Sequence, residues 1–139
     1  MPATTITLNN ILNYNFGAQV YSPVNPANMY FGLSTTLVDA TGLATSTEPA
    51  TASGYTRQTY VNDTAKWTTS SVASLSNKIA ITWTQASASW GTILSVFIAD
   101  STTRAAGNIL WYHTLSPTMP VPLNTTVSFA IGAIIVTIT

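Results

Sequence analysis

The chain has 139 residues, no cysteine, one histidine and only four basic and four acidic side chains, so 6% of it is charged and its net charge is zero, where about 25% charged is usual. This inventory excludes disulfides, thiol catalysis, cysteine-held zinc or iron–sulfur clusters and histidine-rich metal sites, and four scattered cations offer no basic stripe to a nucleic acid. With 46% hydrophobic residues the chain is too apolar to be a disordered segment, and its length predicts one domain, residues 1–139, with a core of its own.

No apolar run reaches the roughly eighteen residues of a membrane-spanning helix, the longest being interrupted by Gly91, Gly107 and Gly132, so no membrane partner is expected. The opening residues, Met1 to Thr7, have neither a basic region nor an apolar signal core, which predicts a protein made in the cytoplasm. So little charge predicts a surface designed to sit against something, as in a homo-oligomer or a larger lattice.

In chain order, Leu8, Ile11, Leu12 and Phe16 fall at helical spacing, with Thr5 or Thr7 to cap the helix and Gly17 to stop it. This arm, residues 1–17, is expected to lie across a sheet as a lid. After the turn Pro23-Val-Asn-Pro26, the segment Asn28 to Thr35 turns Met29, Phe31 and Leu33 to one side, as a half-buried strand does. Residues 36–54 carry no period and read as a long loop, a feature that is usually functional or mobile in a compact domain.

Strand patterning resumes over Tyr55 to Val61. Thr68 to Asn77 is low in complexity and reads as a second loop. Lys78 to Trp83 alternates cleanly, placing Ile79, Ile81 and Trp83 inward. Thr92 to Ala99 is apolar on both alternating sets, Ile93, Phe97 and Ala99 against Leu94, Val96 and Ile98, which predicts a strand covered on both faces. Ile109, Trp111 and His113 alternate with Leu110, Tyr112 and Thr114. The proline-rich stretch from Ser116 to Pro122 lacks ladder donors and reads as an extended connection. In the last two strands, Thr125 to Ile131 and Ala133 to Ile138, the apolar phase flips at Gly132, which predicts a bulge or turn there. Seven or eight short strands with one N-terminal helix describe an all-β fold, an antiparallel β-sandwich or a compact barrel.

No chemical site emerges. The carboxylates are isolated, His113 lacks any nucleophile context and reads as structural, and no cofactor or metal is expected. Of the four tryptophans, Trp83 and Trp111 occupy core positions of strand patterns, whereas Trp67 and Trp90, beside loops, are the candidates for stacking on a sugar. Arg57, on the alternating strand with Tyr55, is a candidate for an intersubunit ion pair with Glu48.

The succession Tyr30-Phe-Gly-Leu-Ser-Thr-Thr36, Thr47-Glu-Pro49, Gly54-Tyr-Thr-Arg57, Trp67, Asn77, Ala88-Ser-Trp-Gly-Thr92, Phe97-Ile-Ala-Asp100, Gly107-Asn-Ile-Leu110 and Val127-Ser-Phe-x-x-Gly132 resembles small structural proteins of tailed bacteriophages, including tail fibre, minor structural and capsid decoration proteins. The resemblance runs through nearly the whole chain and implies a non-enzymatic virion component. The favoured expectation is a cement subunit that clamps the major capsid protein or other virion proteins through Val38, Leu43, Glu48, Arg57, Leu75 and Met119, since protein interfaces are poor in charge and rich in aromatics. The alternative is a tail fibre or other tail-associated carbohydrate-binding protein.

Overall fold

The computed structural model describes residues 1–16, 26–70 and 73–137. One helix, α1 (Thr5–Asn15), precedes eight strands: β1 (Asn28–Ser34), β2 (Gln58–Val61), β3 (Ser74–Ser76), β4 (Ile81–Thr82), β5 (Gly91–Ala99), β6 (Ile109–Val121), β7 (Ser128–Phe129) and β8 (Ile135–Thr137). Strands β2, β1, β5 and β6, in that order, form an antiparallel four-stranded sheet. Two short antiparallel ribbons, β3–β8 and β4–β7, contribute to the same core, so the fold is sandwich-like, with no closed barrel among the described residues. Gly17, Pro23 to Asn25 and Ile138 lie outside those residues.

The doubly apolar run is the middle of this arrangement. Val96 and Ile98 of β5 enter the main core with Phe31, Leu33, Trp83 and Val127. Phe97 and Ala99, on the opposite set, enter a second cluster with Val38 and Ile109. Gly32 stands opposite Phe97 in the β1–β5 ladder, and a Cβ there would come within 2.2 Å of the ring, so the absent side chain is what lets Phe97 lie against the sheet. One part of the predicted alternation fails. Thr114 and Met119 pair with Ser95 and Ile93, which leaves Leu115 to Thr118 opposite Leu94 alone. Beyond this break in register Ile93 joins Val96 and Ile98 in the main core, and Leu94 is only half-buried. A bulge shifts side chains from one face to the other in this way.

The stretch from Ser116 to Val121 is a strand and not a connection: it is the second half of β6, with Met119, Pro120 and Val121 paired to Ile93, Thr92 and Gly91. β6 is an edge strand, where a proline without its N–H need not break a ladder. The first half of that edge is covered by the N-terminal arm. Thr4 N–H donates to the Leu110 carbonyl at 2.9 Å, Tyr112 N–H donates to the Pro2 carbonyl at 3.1 Å, and Ala3 bridges Trp111.

Helix α1 begins earlier than its apolar spacing predicts and does not lay that spacing on the sheet. The Thr4 and Thr7 hydroxyls donate to the carbonyls of Ile109 and Leu110 at 2.7 and 2.9 Å, so α1 docks by its polar N-terminal turn. Leu8, Leu12 and Phe16 are left exposed, Phe16 by 81%.

The strand expected over Lys78 to Trp83 shrinks to Ile81–Thr82, and Ile79, expected inside, is 42% exposed. The cause is Asn77. Its buried amide donates to the carbonyls of Ile79 and Ala130, both at 2.9 Å, and accepts the N–H of Ile134 at 2.9 Å, bending the chain just before β4. The stretch Thr68 to Asn77 is less of a loop than its composition predicts, because Ser74–Ser76 pairs with β8. The phase flip at Gly132 is a turn, with φ at +75° and Ala133 N–H donating to the Ala130 carbonyl at 3.1 Å.

Candidate functional site

The long loop, residues 36–54, is built into the body of the protein. Glu48 is the reason. Its carboxylate accepts Arg57 Nη2 at 2.7 Å and Arg57 Nε at 3.0 Å, the Tyr55 hydroxyl at 2.9 Å and Ala105 N–H at 2.8 Å. Arg57 spends Nη1 on the carbonyls of Ser101 and Ala106 at 2.6 and 3.0 Å, and its guanidinium lies 5.3 Å from the centre of the Phe97 ring. Both charged side chains are almost fully enclosed, at 0% and 1% exposure. A bidentate pair with four of the five guanidinium N–H groups and both carboxylate oxygens hydrogen-bonded is the geometry in which burying two charges is tolerated. Burial, followed by the Glu48 charge, pushes the Tyr55 phenol above its ordinary value of 10.0, so Tyr55 stays a neutral donor. The ion pair expected between subunits is therefore made within one chain. It ties the loop to the start of β2 and to the β5–β6 turn, and Arg104 of that turn grips the loop in its own right, donating to the carbonyls of Glu48 and Pro49 at 2.6 and 2.7 Å.

Val38, expected at an interface, is 3% exposed and packs with Phe97 and Ile109, while Leu43 lies half-buried against the same cluster. Met119 is half-buried on β6 and packs on the main core. Trp90 is 3% exposed; its indole N–H donates to the Ser53 carbonyl at 2.8 Å and its ring meets Tyr55 edge-on at 5.4 Å, so its faces are closed to a ligand.

Trp67 is placed differently. It packs edge-on against Tyr60 at 5.1 Å and is 7% exposed, yet it borders an open cavity of about 370 Å³. Leu75, another sequence-predicted residue, lines the same cavity with Met29, Ile98, Trp111 and Val136. Its polar lining comes from one stretch, Asn62, Asp63 and Thr64, and from Thr68 and Thr69 beyond Trp67. The Trp67 indole N–H is buried without an acceptor among the described residues. Asp63 shapes its end of the cavity: Oδ1 accepts the N–H groups of Ala65 and Lys66 at 2.9 and 3.0 Å, an Asx turn that follows β2. His113 lies elsewhere, exposed on β6 at the border of a separate depression formed with Met1 and Ile135. Desolvation, followed by the nearby terminal ammonium, lowers its pKa below 6.5.

Residues 2–137 match the family described as podophage GP4 fiber I protein gp80. The chain belongs to that family. It is thus a tailed-phage structural protein, as the ordered motifs of the sequence imply, and a component of the virion. No curated protein matches it. No helix among the described residues of this fiber-family chain is long and apolar enough to cross a membrane.

Sequence reasoning singled out Trp67 and Leu75 separately, one as a stacking residue and the other as an interface residue, and the fold brings them together. It missed Asp63, Asn62 and Trp111 as their neighbours. Trp111 sits in a strand pattern that requires a large inward residue, and nothing in its spacing says that it is only half-buried. Asp63, which begins Asp63-Thr-Ala-Lys66 after a strand, carried the available signal in its turn chemistry.

Proposed function

We propose that this chain is a fibre component of the phage particle, acting by binding and assembly and not by catalysis. The observation that carries this is the family match over residues 2–137, whose description is of a fiber protein. The alternative reading of the sequence thereby gains over the cement role. Burial adds a physical reason, because the cement reading draws on Val38 and Glu48 of the long loop and on Arg57, which this fold spends on its own interior. A shell clamp needs its named contacts free, and Val38 and Glu48 of that loop are turned inward. Immunogold labelling of intact particles tests the assignment: gold confined to the tail appendages supports it, and gold distributed over the whole head surface overturns it.

Self-association is part of the same proposal. Leu8, Leu12 and Phe16, four residues apart, form an exposed apolar stripe along and just beyond α1, and no charged side chain occurs before Asp39. An eleven-residue helix is marginal alone in water. A neutral stripe of this kind meets its own copy without like-charge repulsion.

A further inference from the structure

We propose that the free edge of β2 is a self-association surface, to which a second copy of the chain adds its own β2 antiparallel, about a two-fold axis through Tyr60. The proposal deepens the self-association reading. It rests on that reading for the presence of a second copy, and it assigns the contact to a strand edge separate from α1.

β2 stands at the end of its sheet, with β1 as its one ladder partner. Asn62 N–H donates to the Ala27 carbonyl at 2.9 Å, which makes those two residues a hydrogen-bonded pair. Such pairs alternate along an antiparallel ladder. Tyr60 and Gln58 therefore turn their main-chain groups to Met29 and Phe31, while those of Thr59 and Val61 point away from β1. Leu33 keeps the same parity one step further on, its N–H donating to the Tyr55 hydroxyl at 2.8 Å. On the outer side Thr59 and Val61 have no main-chain partner among the described residues, and both are exposed. An open notch of about 180 Å³ lies between β2 and the chain from Ile79 to Thr82.

Two other strand edges are guarded. The first half of β6 is covered by the N-terminal arm, and its second half carries Pro117 and Pro120. β3 is closed by Thr68, whose N–H donates to the Ser76 carbonyl at 2.9 Å and whose hydroxyl accepts Ser76 N–H at 2.8 Å. Prolines, covering segments and charged side chains are the common protections of an edge. Beyond its shortness, Gln58-Thr59-Tyr60-Val61 has none of them.

The register selects a copy as the occupant. With Tyr60 of each chain on the axis, Thr59 of one faces Val61 of the other, and the outward residues of both strands meet. Each of these pairs exchanges both of its main-chain hydrogen bonds, so every outward group of Thr59 and Val61 is satisfied. The side chains that meet are β-branched on both sides, which suits a cross-strand pair. The next pair outward, Gln58 with Asn62, is neutral, so no like charges oppose each other.

The test combines analytical ultracentrifugation with amide hydrogen exchange on the full chain. The native chain is expected to dimerise as its concentration rises, with the Thr59 and Val61 amides exchanging about tenfold or more slowly in the dimer. Thr59→Lys with Val61→Lys sets like charges opposite each other and is expected to weaken dimerisation about tenfold or more, as is Thr59→Glu with Val61→Glu. An equal mixture of these two double variants is expected to form a heterodimer at least about tenfold tighter than either forms alone. Thr59→Pro, an uncharged probe, removes an outward N–H that the ladder with β1 does not use, and is expected to weaken dimerisation as well. Circular dichroism melts establish that each variant folds, and the charge pair decides by itself if Thr59→Pro does not. An oligomer with unprotected Thr59 and Val61 amides, unaffected by the double variants, overturns the proposal and leaves self-association through α1 standing. A chain that stays monomeric at about 1 mM overturns both, whereas the fibre assignment is read from labelled particles and fails or stands separately. Protection of Thr59 and Val61 in a monomer assigns the edge to another segment of the same chain and likewise overturns the proposal.

Discussion

Replacing Arg57 by Met is the most informative perturbation of this fold. The thioether keeps most of the stem that packs near Phe97 and removes only the guanidinium. What remains is a Glu48 carboxylate at 1% exposure with two neutral donors, the Tyr55 hydroxyl and Ala105 N–H, while the carbonyls of Ser101 and Ala106 lose their shared partner. Removing one member of a buried pair costs about 3–5 kcal/mol, a large share of a total stability of about 5–15 kcal/mol. At roughly 3–5 °C per kcal/mol for a chain of this size, the melting temperature should fall by about 10–20 °C. Urea unfolding followed by tryptophan fluorescence measures the loss directly, with the slope held constant as the check that only stability has changed. Adding Glu48→Gln to Arg57→Met removes the stranded charge, so the double variant should be more stable than Arg57→Met alone, with a coupling of about 0.5–3 kcal/mol. Because the pair is enclosed, raising salt from about 0.1 to about 1 M should leave the loss nearly unchanged. An Arg57→Met variant within about 1 kcal/mol of the native protein, or a double variant less stable than the single, would refute the claim that this pair holds the loop.

Gly32→Ala should cost about 1–3 kcal/mol by overpacking against Phe97, and Phe97→Leu in the same chain should recover part of it; an unchanged urea midpoint in Gly32→Ala would contradict the close approach. His113 has a lowered pKa in the folded chain, so the unfolded chain takes up that proton first, and the His113 contribution is lost as pH falls through 6.5. His113→Gln should therefore show a smaller drop in melting temperature than the native chain between about pH 7.5 and about pH 5.5, and equal drops would dismiss the effect. Leu12→Gln with Phe16→Ser should leave thermal stability within about 0.5 kcal/mol while reducing the sedimenting mass; an unchanged mass would remove α1 from any self-contact.

The parts of this fold that were legible in the sequence are those where one local rule decides. Met29, Phe31 and Leu33 share a face because β1 is regular, Val96 and Ile98 separate from Phe97 and Ala99 because β5 has a layer on each side, and the Gly132 phase flip is a turn. The errors have non-local causes. Ile79 turns outward because Asn77 reaches Ala130 and Ile134, far along the chain. Ile93 changes face because four β6 residues lie opposite Leu94. Leu8 and Leu12 are exposed because the hydroxyls of Thr4 and Thr7, and not the apolar face, dock α1. The cavity was half legible: the residue types of Trp67 and Leu75 drew notice, but their meeting depends on β3 pairing with β8, a ladder of three residues on each side that low-complexity sequence does not announce.

Counting copies of the chain in purified particles decides between a fibre component and a shell component. Virions are separated into tailed particles and capsids that have lost their tails, and quantitative mass spectrometry gives the ratio of this chain to the major capsid protein in each. A fibre component is expected at a small fraction of the capsid protein's copy number in tailed particles and to be almost completely lost from tail-less capsids. Copy numbers that track the capsid protein, retained when the tail is gone, would contradict it.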